Sequence, residues 1–538
     1  MLNSNTWGVC FFGVRMKFVF GLTIIAILGM GIAKVKDSQS KIFIEQIEQP
    51  IYVKAIYSIP VSYDPIKMND GASLIFSELV YEGLLRFTDD YGVQSGLANS
   101  WSTSKDGLKI TFKLDPNARF HNGDVVTAND VKVSLSRNVS KESVVYKFYD
   151  VIKGAKNYHQ NQSPSVDGLK VIDDSTIEIH LEKPFPPILY VLAGGTAKIL
   201  PAKSLENKDF FKKPIGSGPF KIIEIEDNSI HLARHSQYHG EMPKISEMQL
   251  VSIDQSKAMD QAMVGEIHDL SSWPMSGSED VFKIGQDINS VVADTWIIGL
   301  NTRIKPFNNL EVRKLFEKSI NKDKFRKTFY PDAKPAFGYI PPSFPGHKKS
   351  STTKEFGRTS PPQDQITISI PAELARSNEM AQFLGDELSS KGWNIKVNAI
   401  NWDKMMSDYS QKKLQAFLVS MIVDYPDSEF LLNNFESTNP DNFSGLKNDL
   451  IDSLIIKSRE TKDRIERQMI QKRLADLIDE QTLSVNLFHS RAHYWIHRCV
   501  DGFKPNLLAV AYTDYRKVSF NSDCLKGGSK WIAKTAKR

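Results

Sequence analysis

Asp424 is the residue whose position best suits it to bind a charged ligand. It follows a largely apolar run from Phe417 to Val423, interrupted only by Ser420, inside the segment LQAFLVSMIVDYPDSEFLL at residues 414–432, a pattern typical of a buried strand. Pro426 has no amide donor and restricts the residue before it, so the strand is predicted to end there. A carboxylate at the C-terminal end of a buried strand stands where open α/β sheets bind ligands, and it could accept a charge-assisted hydrogen bond from a cation. The alternative is an aspartate that only begins a turn.

Other reactive side chains do not form a recognisable catalytic or metal-binding motif. Histidines recur every four residues at 231, 235 and 239 and again at 489, 493 and 497, but both series fall on predicted strands and turns. We therefore expect surface histidines and no metal site. The chain has no GxSxG or HExxH motif, and the glycine loop at residues 216–218 lacks the Lys-Ser/Thr pair of a phosphate loop. The sequence predicts no catalytic residues and no cofactor, whereas an exported hydrolase would need a nucleophile with a nearby base.

Length and composition indicate a soluble protein of several domains. The chain has 538 residues, of which 41% are hydrophobic and 24% charged, with a formal net charge of +5. No long basic run is interleaved with aromatic residues, so nucleic acid is not an expected partner.

The first 33 residues differ from the rest and predict export. Arg15 and Lys17 precede an apolar run from Phe18 to Ala33 that ends in small residues, as in a signal peptide cleaved after Ala33. Met16 would be a more usual start, which would make the first 15 residues a start-site extension. An uncleaved membrane anchor is the alternative, but the run is shorter than the ~20 residues that span a bilayer. We expect a periplasmic protein.

Two cysteines remain after such cleavage, Cys499 and Cys524. In an oxidising compartment they could form a disulfide that closes a C-terminal loop, and two buried thiols are an equally good interpretation.

The N-terminal half predicts mixed strands and helices. A first strand is expected over residues 51–57 and a helix over residues 73–84. Asp106-Gly107 predicts a turn into an alternating strand at residues 108–114, and Thr127 is a predicted N-cap for a helix that ends near Asn138.

These segments, in this order, resemble the extracellular solute-binding proteins of ABC importers, in the large family that serves peptides and nickel. The resemblance rests on YEGLL at 81–85, GLANSW at 96–101, KDG at 105–107, FHNG at 120–123, TANDV at 127–131, PIGSGPFK at 214–221, QAMVGEIHDL at 261–270, GLNT at 299–302, PFNNLEVR at 306–313, IPP at 340–342 and DYPD at 424–427. It extends over residues 41–520.

The resemblance implies an α/β, two-lobed periplasmic binding protein fold with discontinuous domains and an extra inserted small domain. Lobe I would combine residues 41–65, 206–292 and 493–525, the inserted domain would span 66–205, and the ligand-holding lobe II would span 293–492. Residues 526–538 would form a basic tail.

The resemblance also implies ligand-binding residues. In peptide-binding members an aspartate in the position of Asp424 pairs with the peptide N-terminus, and the preceding strand lies alongside the peptide. The implied residues are Trp402, Ser420, Met421, Ile422, Val423, Asp424 and Tyr425. Family members often have an aromatic residue in place of Met421. Arg303, Lys305 and Arg491 are unranked candidates for a peptide carboxylate.

The resulting functional hypothesis is a monomeric, exported protein that captures short peptides between its lobes and delivers them to a membrane permease with its ATPase. Another solute, such as a nickel chelate or an oligosaccharide, is an alternative ligand. A membrane-anchored sensor lobe is an alternative role.

Overall fold

Three β-sheets organise the molecule, in a computed structural model that describes residues 50–273, 275, 279–350 and 360–522. From Pro50 onward the chain forms one compact unit. The predicted signal segment, the basic tail and Cys524 lie outside the described residues. Within those residues, no helix is both long and apolar enough to cross a membrane.

The first sheet has four strands and carries an attached strand pair. Its order is β1 (Tyr52–Ile56), β10 (Glu247–Ser252), β9 (Ser229–Arg234) and β8 (Phe220–Ile225), with β1 parallel to β10 and the others antiparallel. The antiparallel pair β11 (Gly285–Val291) and β18 (Arg491–His497) joins it through bridges at Asp269. A short pair, β19 (Val500–Asp501) and β20 (Ser519–Phe520), follows.

The part of the chain between β1 and β8 forms a smaller sheet. It is antiparallel, in the order β4 (Ala98–Thr103), β5 (Lys109–Leu114), β7 (Thr176–His180) and β6 (Leu169–Asp173). A hairpin of β2 (Leu85–Phe87) and β3 (Val93–Ser95) precedes it.

The large sheet has six strands and carries the segment that contains Asp424. Its order is β13 (Lys334–Pro335), β17 (Ser484–His489), β12 (Asp294–Leu300), β16 (Ala416–Ile422), β14 (Ile366–Pro371) and β15 (Ile395–Ile400). Strand β14 is parallel to β15 and β16, and the other pairs are antiparallel. Gly299 lies opposite Phe417, and a Cβ at this glycine would stand 2.7 Å from the buried Phe417 ring, so a side chain there would displace that ring.

Helices connect and cover these sheets. The α-helices are α1 (Gly71–Val80), α2 (Ala128–Asn138), α3 (Ala155–His159), α4 (Ile188–Ala193), α5 (Gln255–Met263), α6 (Leu310–Ser319), α7 (Lys322–Phe329), α8 (Ser377–Ser390), α9 (Trp402–Ser410), α10 (Glu429–Leu432), α11 (Asp449–Glu460) and α12 (Arg464–Glu480). Short 3₁₀ helices lie at Pro65–Lys67, Tyr146–Phe148, Ala202–Glu206, Phe210–Lys212, Asp280–Lys283, Asn433–Phe435, Val510–Tyr512 and Tyr515–Lys517.

The hydrophobic core follows the sheets but is not divided evenly among them. One cluster lies on the first sheet and another on one face of the large sheet. The largest cluster combines the small sheet with the other face of the large sheet, from Phe112 through Ile297 to Leu474. The small sheet therefore shares its core with the large sheet. The boundaries of the inserted domain and of the two lobes stay a prediction.

Most local predictions in the N-terminal half are confirmed, and one is wrong in part. Strand β1 and helix α2 lie where expected, and Thr127 caps α2 in a capping box with Asp130. Helix α1, predicted over residues 73–84, ends at Val80. Gly83 instead packs closely against a segment distant in sequence, where an added Cβ would stand 2.9 Å from the Ala197 carbonyl and 3.3 Å from the Leu192 carbonyl. Apolar spacing cannot reveal such a tertiary contact.

Candidate ligand-binding site

Strand β16 has one edge that is only half used. Its partner β12 runs along all seven of its residues, Ala416–Ile422. On the other side, β14 pairs with it only at Ala416 and Phe417. Beyond Phe417, no strand of the described chain pairs with this side, and we call residues 418–422 on this side the open edge.

The strand β14 turns away from β16 at the point where the open edge begins. It stays paired with β15 as far as Pro371, opposite Ile400, although it leaves β16 after Ser369. The two parallel strands therefore diverge, and a gap opens between the end of β14 and the open edge of β16.

Two hydrogen bonds establish which main-chain groups face this gap. The Val423 amide donates to the Ala293 carbonyl at 3.1 Å, and the Asn301 amide donates to the Gln415 carbonyl at 3.0 Å. Because main-chain groups alternate in direction along a strand, the odd-numbered residues of β16 face β12. The amides and carbonyls of Ser420 and Ile422 therefore face the gap.

Asp424 lies at the end of this edge as a carboxylate without a cationic partner. No hydrogen bond or ion pair joins its side chain to any part of the chain that the structure describes. Solvent reaches it, yet the surrounding protein replaces much of its hydration, and this desolvation raises the pKa of Asp424 to about 6. A desolvated carboxylate without a partner is suited to receive a cation from a ligand.

Tyr512 lies close enough to Asp424 for the carboxylate charge to affect the tyrosine pKa. Its pKa is raised chiefly by burial and further by the negative charges of Glu78 and Asp424. Tyr512 contacts the N-terminal part of the chain, since its hydroxyl accepts a hydrogen bond from the Gly195 amide at 3.3 Å and its ring packs against Phe87. Asp424 therefore lies near a tyrosine that contacts the N-terminal part of the chain.

The other predicted ligand residues are not all exposed to the gap. The Trp402 side chain is 44% exposed and that of Ile422 is 53% exposed, whereas Met421 is half-buried against the shared core. Val423 is buried and its amide is already used by Ala293. Tyr425 is buried as well, and its hydroxyl donates to Glu429 at 2.6 Å, so its side chain supports the loop behind Asp424.

The three candidates for a ligand carboxylate differ in their surroundings. Arg303 donates to the carbonyls of Phe443 and Asn442, and desolvation lowers its pKa. Lys305 lies beyond the end of β12 at which Leu300 pairs with Ala416, and it directly precedes Pro306. Arg491 is the first residue of β18 and donates to the Asn289 side chain, near the strand connections beside Ala293. Arg491 is therefore the candidate nearest in topology to Asp424.

Buried ion pairs hold the loop that carries Asp424. Asp427 pairs with Arg467 of α12 and accepts a hydrogen bond from Gln471 at 2.7 Å. Glu429 pairs with Arg459 of α11 at 2.7 Å. The two acids of the motif Asp-Tyr-Pro-Asp thus differ, because Asp427 anchors the loop while Asp424 has no partner among the residues that the structure describes.

Asp294 is a site residue that sequence reasoning missed. This buried carboxylate accepts hydrogen bonds from the Ser490 amide at 2.8 Å, from the Ser490 hydroxyl at 2.7 Å and from the Ser420 hydroxyl at 2.9 Å. Burial raises its pKa, and these hydrogen bonds oppose the rise. Asp294, the first residue of β12, thereby links Ser420 of the open edge to Ser490, which connects β17 to β18. An acid at the start of an otherwise apolar strand was the available signal.

The histidine series are not surface residues throughout, so that expectation is wrong. His235 is buried against His121, and His239 is largely buried and bonds to Glu82 at 2.8 Å, while His231 pairs with Glu247. His489 is also buried. Histidine is amphipathic, and these rings fill polar niches that no local pattern identifies.

In the described part of the chain, no three His, Cys, Asp or Glu residues are grouped to hold a metal ion. Cys499 is disulfide-bonded.

A polar cavity lies beside α1, with Tyr512 among its lining residues, and its charged residues mostly pair with one another. Lys198 pairs with Glu78 at 2.6 Å, and Arg516 pairs with Asp514 at 2.6 Å. Asp424 differs from these acids, because no residue that the structure describes forms an ion pair with it.

Comparison with known proteins places this chain within a family. The family of bacterial extracellular solute-binding proteins, family 5 Middle, matches residues 92–443. The chain is 25% identical to the dipeptide-binding protein DppE of Bacillus subtilis (strain 168) over 474 residues, 81% of this chain and 86% of that protein. It is also 25% identical to the glutathione-binding protein GsiB of Pectobacterium atrosepticum over 457 residues, 79% and 86% of the two chains.

A solved structure shows the same fold. DppA from Helicobacter pylori, in complex with the peptide STSA, superposes with a TM-score of 0.69 at 24% identity, over 88% of this chain and 99% of that one. The predicted two-lobed α/β fold is thereby confirmed, and the relatives are named as binding proteins, not enzymes. Since the family match covers more than half of the sequence, the chain belongs to the bacterial extracellular solute-binding proteins of family 5, which serve ABC importers.

Proposed function

We propose that this protein is an exported, monomeric binding protein that captures short peptides between its two lobes and delivers them to an ABC transporter permease and its ATPase. It needs no catalysis and no cofactor. The observation that carries the proposal is the desolvated, unpaired carboxylate of Asp424 at the end of the open edge.

Asp424 and the open edge each match one chemical feature of a peptide. A peptide ammonium would supply the cation that Asp424 lacks among the described residues, by a charge-assisted hydrogen bond. The peptide main chain would supply the donors and acceptors that the open edge leaves unpaired, as in strand addition to a sheet. A ligand without both features would leave buried polar groups unsatisfied when the lobes close, at a cost of about 1–3 kcal/mol for each.

The relatives' ligands support the peptide class. DppE is named for dipeptides and GsiB for glutathione, and the superposed DppA holds the peptide STSA. Trp402, Met421 and the exposed side of Ile422 would then contact ligand side chains, and Ser420 and Ile422 would contact the ligand through main-chain atoms. Val423 and Tyr425 would shape the end of the edge.

Mass spectrometry of the protein purified under native conditions tests the proposal. We expect co-purified peptides with free N-termini in the wild type and their loss in Asp424→Ala, because the variant leaves the ligand ammonium without a partner. Asp364→Ala is the matched control, since Asp364 is exposed and precedes β14 at the opposite end of the large sheet. It should retain its peptides.

Two results would count against the proposal. Peptides that stay bound in Asp424→Ala at wild-type affinity would reject the role of Asp424. A co-purified nickel chelate or oligosaccharide, with no peptide binding in titration calorimetry, would reject the ligand class.

A further inference from the structure

In the part of the chain that the structure describes, the backbone passes between the large sheet and the other sheets twice. Strands β12 to β17 all belong to the large sheet, and the other described strands lie outside it. One crossing is therefore residues 292–293, between β11 and β12, and the other is Ser490, between β17 and β18. A movement of the large sheet relative to the other sheets must be taken up at these two crossings.

Regular strand pairing is interrupted where the two crossings lie side by side. Pairing ends at Val291 opposite Arg491 and resumes at Trp296 opposite Phe488, so four residues of one strand lie against two of the other. An antiparallel ladder cannot keep its register over such an interval. A regular ladder of main-chain hydrogen bonds therefore does not hold the two crossings together.

The Asp294 carboxylate joins the two crossings instead. It accepts hydrogen bonds from the Ser490 amide at 2.8 Å and from the Ser490 hydroxyl at 2.7 Å, and that hydroxyl accepts one from the Trp296 indole at 2.9 Å. The Val292 amide adds a main-chain bond to the Ser490 carbonyl at 3.0 Å. We call the Asp294–Ser490 pair the clasp. Since one side chain makes it, the clasp can be released without unpairing either strand.

The first crossing is also bonded to the strand that carries the proposed ligand site. The Ser420 hydroxyl of the open edge donates to the Asp294 carboxylate at 2.9 Å, and the Val423 amide donates to the Ala293 carbonyl at 3.1 Å. Val423 directly precedes Asp424. The end of β16 that leads to Asp424 is therefore held to the crossing at two points, one of them through the clasp.

The clasp is formed in a conformation in which the small sheet and the large-sheet region are in contact. The Lys462 ammonium, between α11 and α12, donates to the Lys105 carbonyl in the turn between β4 and β5 at 2.7 Å. Hydrogen bonds weaken steeply as they lengthen or bend, so a rotation at the crossings that parts these regions would weaken the clasp. The clasp therefore favours the arrangement in which they touch.

We infer that Asp294 is a positioning residue that holds the two crossings in the closed arrangement and so slows the release of a ligand bound at Asp424, without touching that ligand. The inference rests on the proposed function and adds to it a residue that controls how long the ligand stays bound. Loss of the Asp294 carboxylate should act mainly on the dissociation rate, because the open protein still meets its ligand in the same way.

Surface plasmon resonance with trialanine, a short peptide with a free N-terminus, tests this inference. In Asp294→Ala the dissociation rate constant should rise at least about tenfold, while the association rate constant should change less than about threefold, because the bonds lost belong to the closed form. Small-angle X-ray scattering at saturating trialanine should give a larger radius of gyration for the variant than for the wild type. Ser490→Ala removes only the hydroxyl and should raise the dissociation rate constant about threefold, which gives the test if Asp294→Ala fails to fold.

Two further variants separate the clasp from a general loss of stability and from loss of charge. Asp130 is a matched control, because this buried carboxylate also accepts three hydrogen bonds, from the Thr127 amide and hydroxyl and from the Ala202 amide, at the start of α2. Asp130→Ala should lower the melting temperature but leave the dissociation rate constant within about twofold of wild type. Asp294→Asn keeps an oxygen for the Ser490 amide and should stay within about threefold.

The results that would overturn the clasp differ from those that would reject peptide capture. An unchanged dissociation rate constant in folded Asp294→Ala or in Ser490→Ala, or an equal rise in Asp130→Ala, would overturn the role of Asp294 while leaving peptide capture intact. Failure of wild-type protein to bind trialanine or any other free-amine peptide would instead reject the proposed function itself.

Discussion

Asp424 makes the affinity of the site depend on pH in a direction that can be stated in advance. With a pKa of about 6, it is ionised at neutral pH but loses its charge as the solution becomes mildly acidic. A ligand ammonium binds the ionised form, so the association constant should fall about tenfold for each pH unit below about 6. It should stay level above pH 6 until the ligand α-amino group, with a pKa of about 7.7–8.0, loses its proton.

The asparagine variant separates this effect from other titrations. Asp424→Asn should bind more weakly at pH 7 and should show no acid limb between pH 5 and 6 in calorimetry with trialanine. An acid limb that persists in Asp424→Asn would assign the pH dependence to another group.

The same carboxylate should destabilise the ligand-free protein at neutral pH. A carboxyl whose folded-state pKa is raised above its ordinary value favours folding when protonated and opposes it when ionised. Asp424→Asn should therefore raise the melting temperature of the ligand-free protein at pH 8, and the gain should shrink toward pH 4, where the wild-type group is protonated. Calorimetric melting at both pH values measures this, and a loss of stability at pH 8 would contradict it.

At the scale of elements, the loop behind Asp424 depends on a helix that is distant in sequence. Arg467 of α12 pairs with Asp427, and both side chains are about nine-tenths buried. Arg467→Met leaves Asp427 as a buried carboxylate without its cation, which should lower the free energy of unfolding by about 3–5 kcal/mol. Urea denaturation measures the loss, and weaker peptide binding should accompany it because the loop positions Asp424.

Helix α12 provides a matched control for this prediction. Arg473 pairs with Glu480 on the same helix at 3.8 Å, but both side chains are more than half exposed. Arg473→Met should change the free energy of unfolding by no more than about 0.5 kcal/mol. Similar losses in the two variants would show that burial of the Asp427 pair is unimportant.

These elements also show what sequence could and could not predict. The apolar run before Asp424 and the Thr127 cap of α2 are local patterns, and both lie where expected. The open edge is different, because it exists only where β14, about fifty residues earlier in the chain, diverges from β16. The anchoring of Asp427 by Arg467 and of Ser420 by Asp294 likewise joins residues 40 and 126 positions apart. Local patterns identified the carboxylate, and only tertiary structure explains why it is unpaired.

At the scale of the whole molecule, the small sheet contacts the lobe that carries Asp424. Tyr91, in the turn between β2 and β3, packs against Phe344 with ring centroids 4.9 Å apart. The Lys462 ammonium, between α11 and α12, donates to the Lys105 carbonyl at 2.7 Å, in the turn between β4 and β5. Together with the shared hydrophobic cluster, these contacts join the small sheet and its preceding hairpin to the part of the chain that carries the large sheet.

We expect the predicted inserted domain to move with lobe I, so that closure on a peptide brings Tyr91 onto Phe344 and this contact contributes to ligand affinity without touching the ligand. Tyr91→Asn removes the ring while tolerating the φ of 69° at this position. An aromatic pair contributes about 0.5–1.5 kcal/mol, so trialanine should bind about two- to tenfold more weakly in calorimetry. Tyr146→Asn is the control, because Tyr146 stacks on His159 within the inserted domain. It should lower the melting temperature without weakening binding, and unchanged affinity in Tyr91→Asn would mean that this contact plays no part in closure.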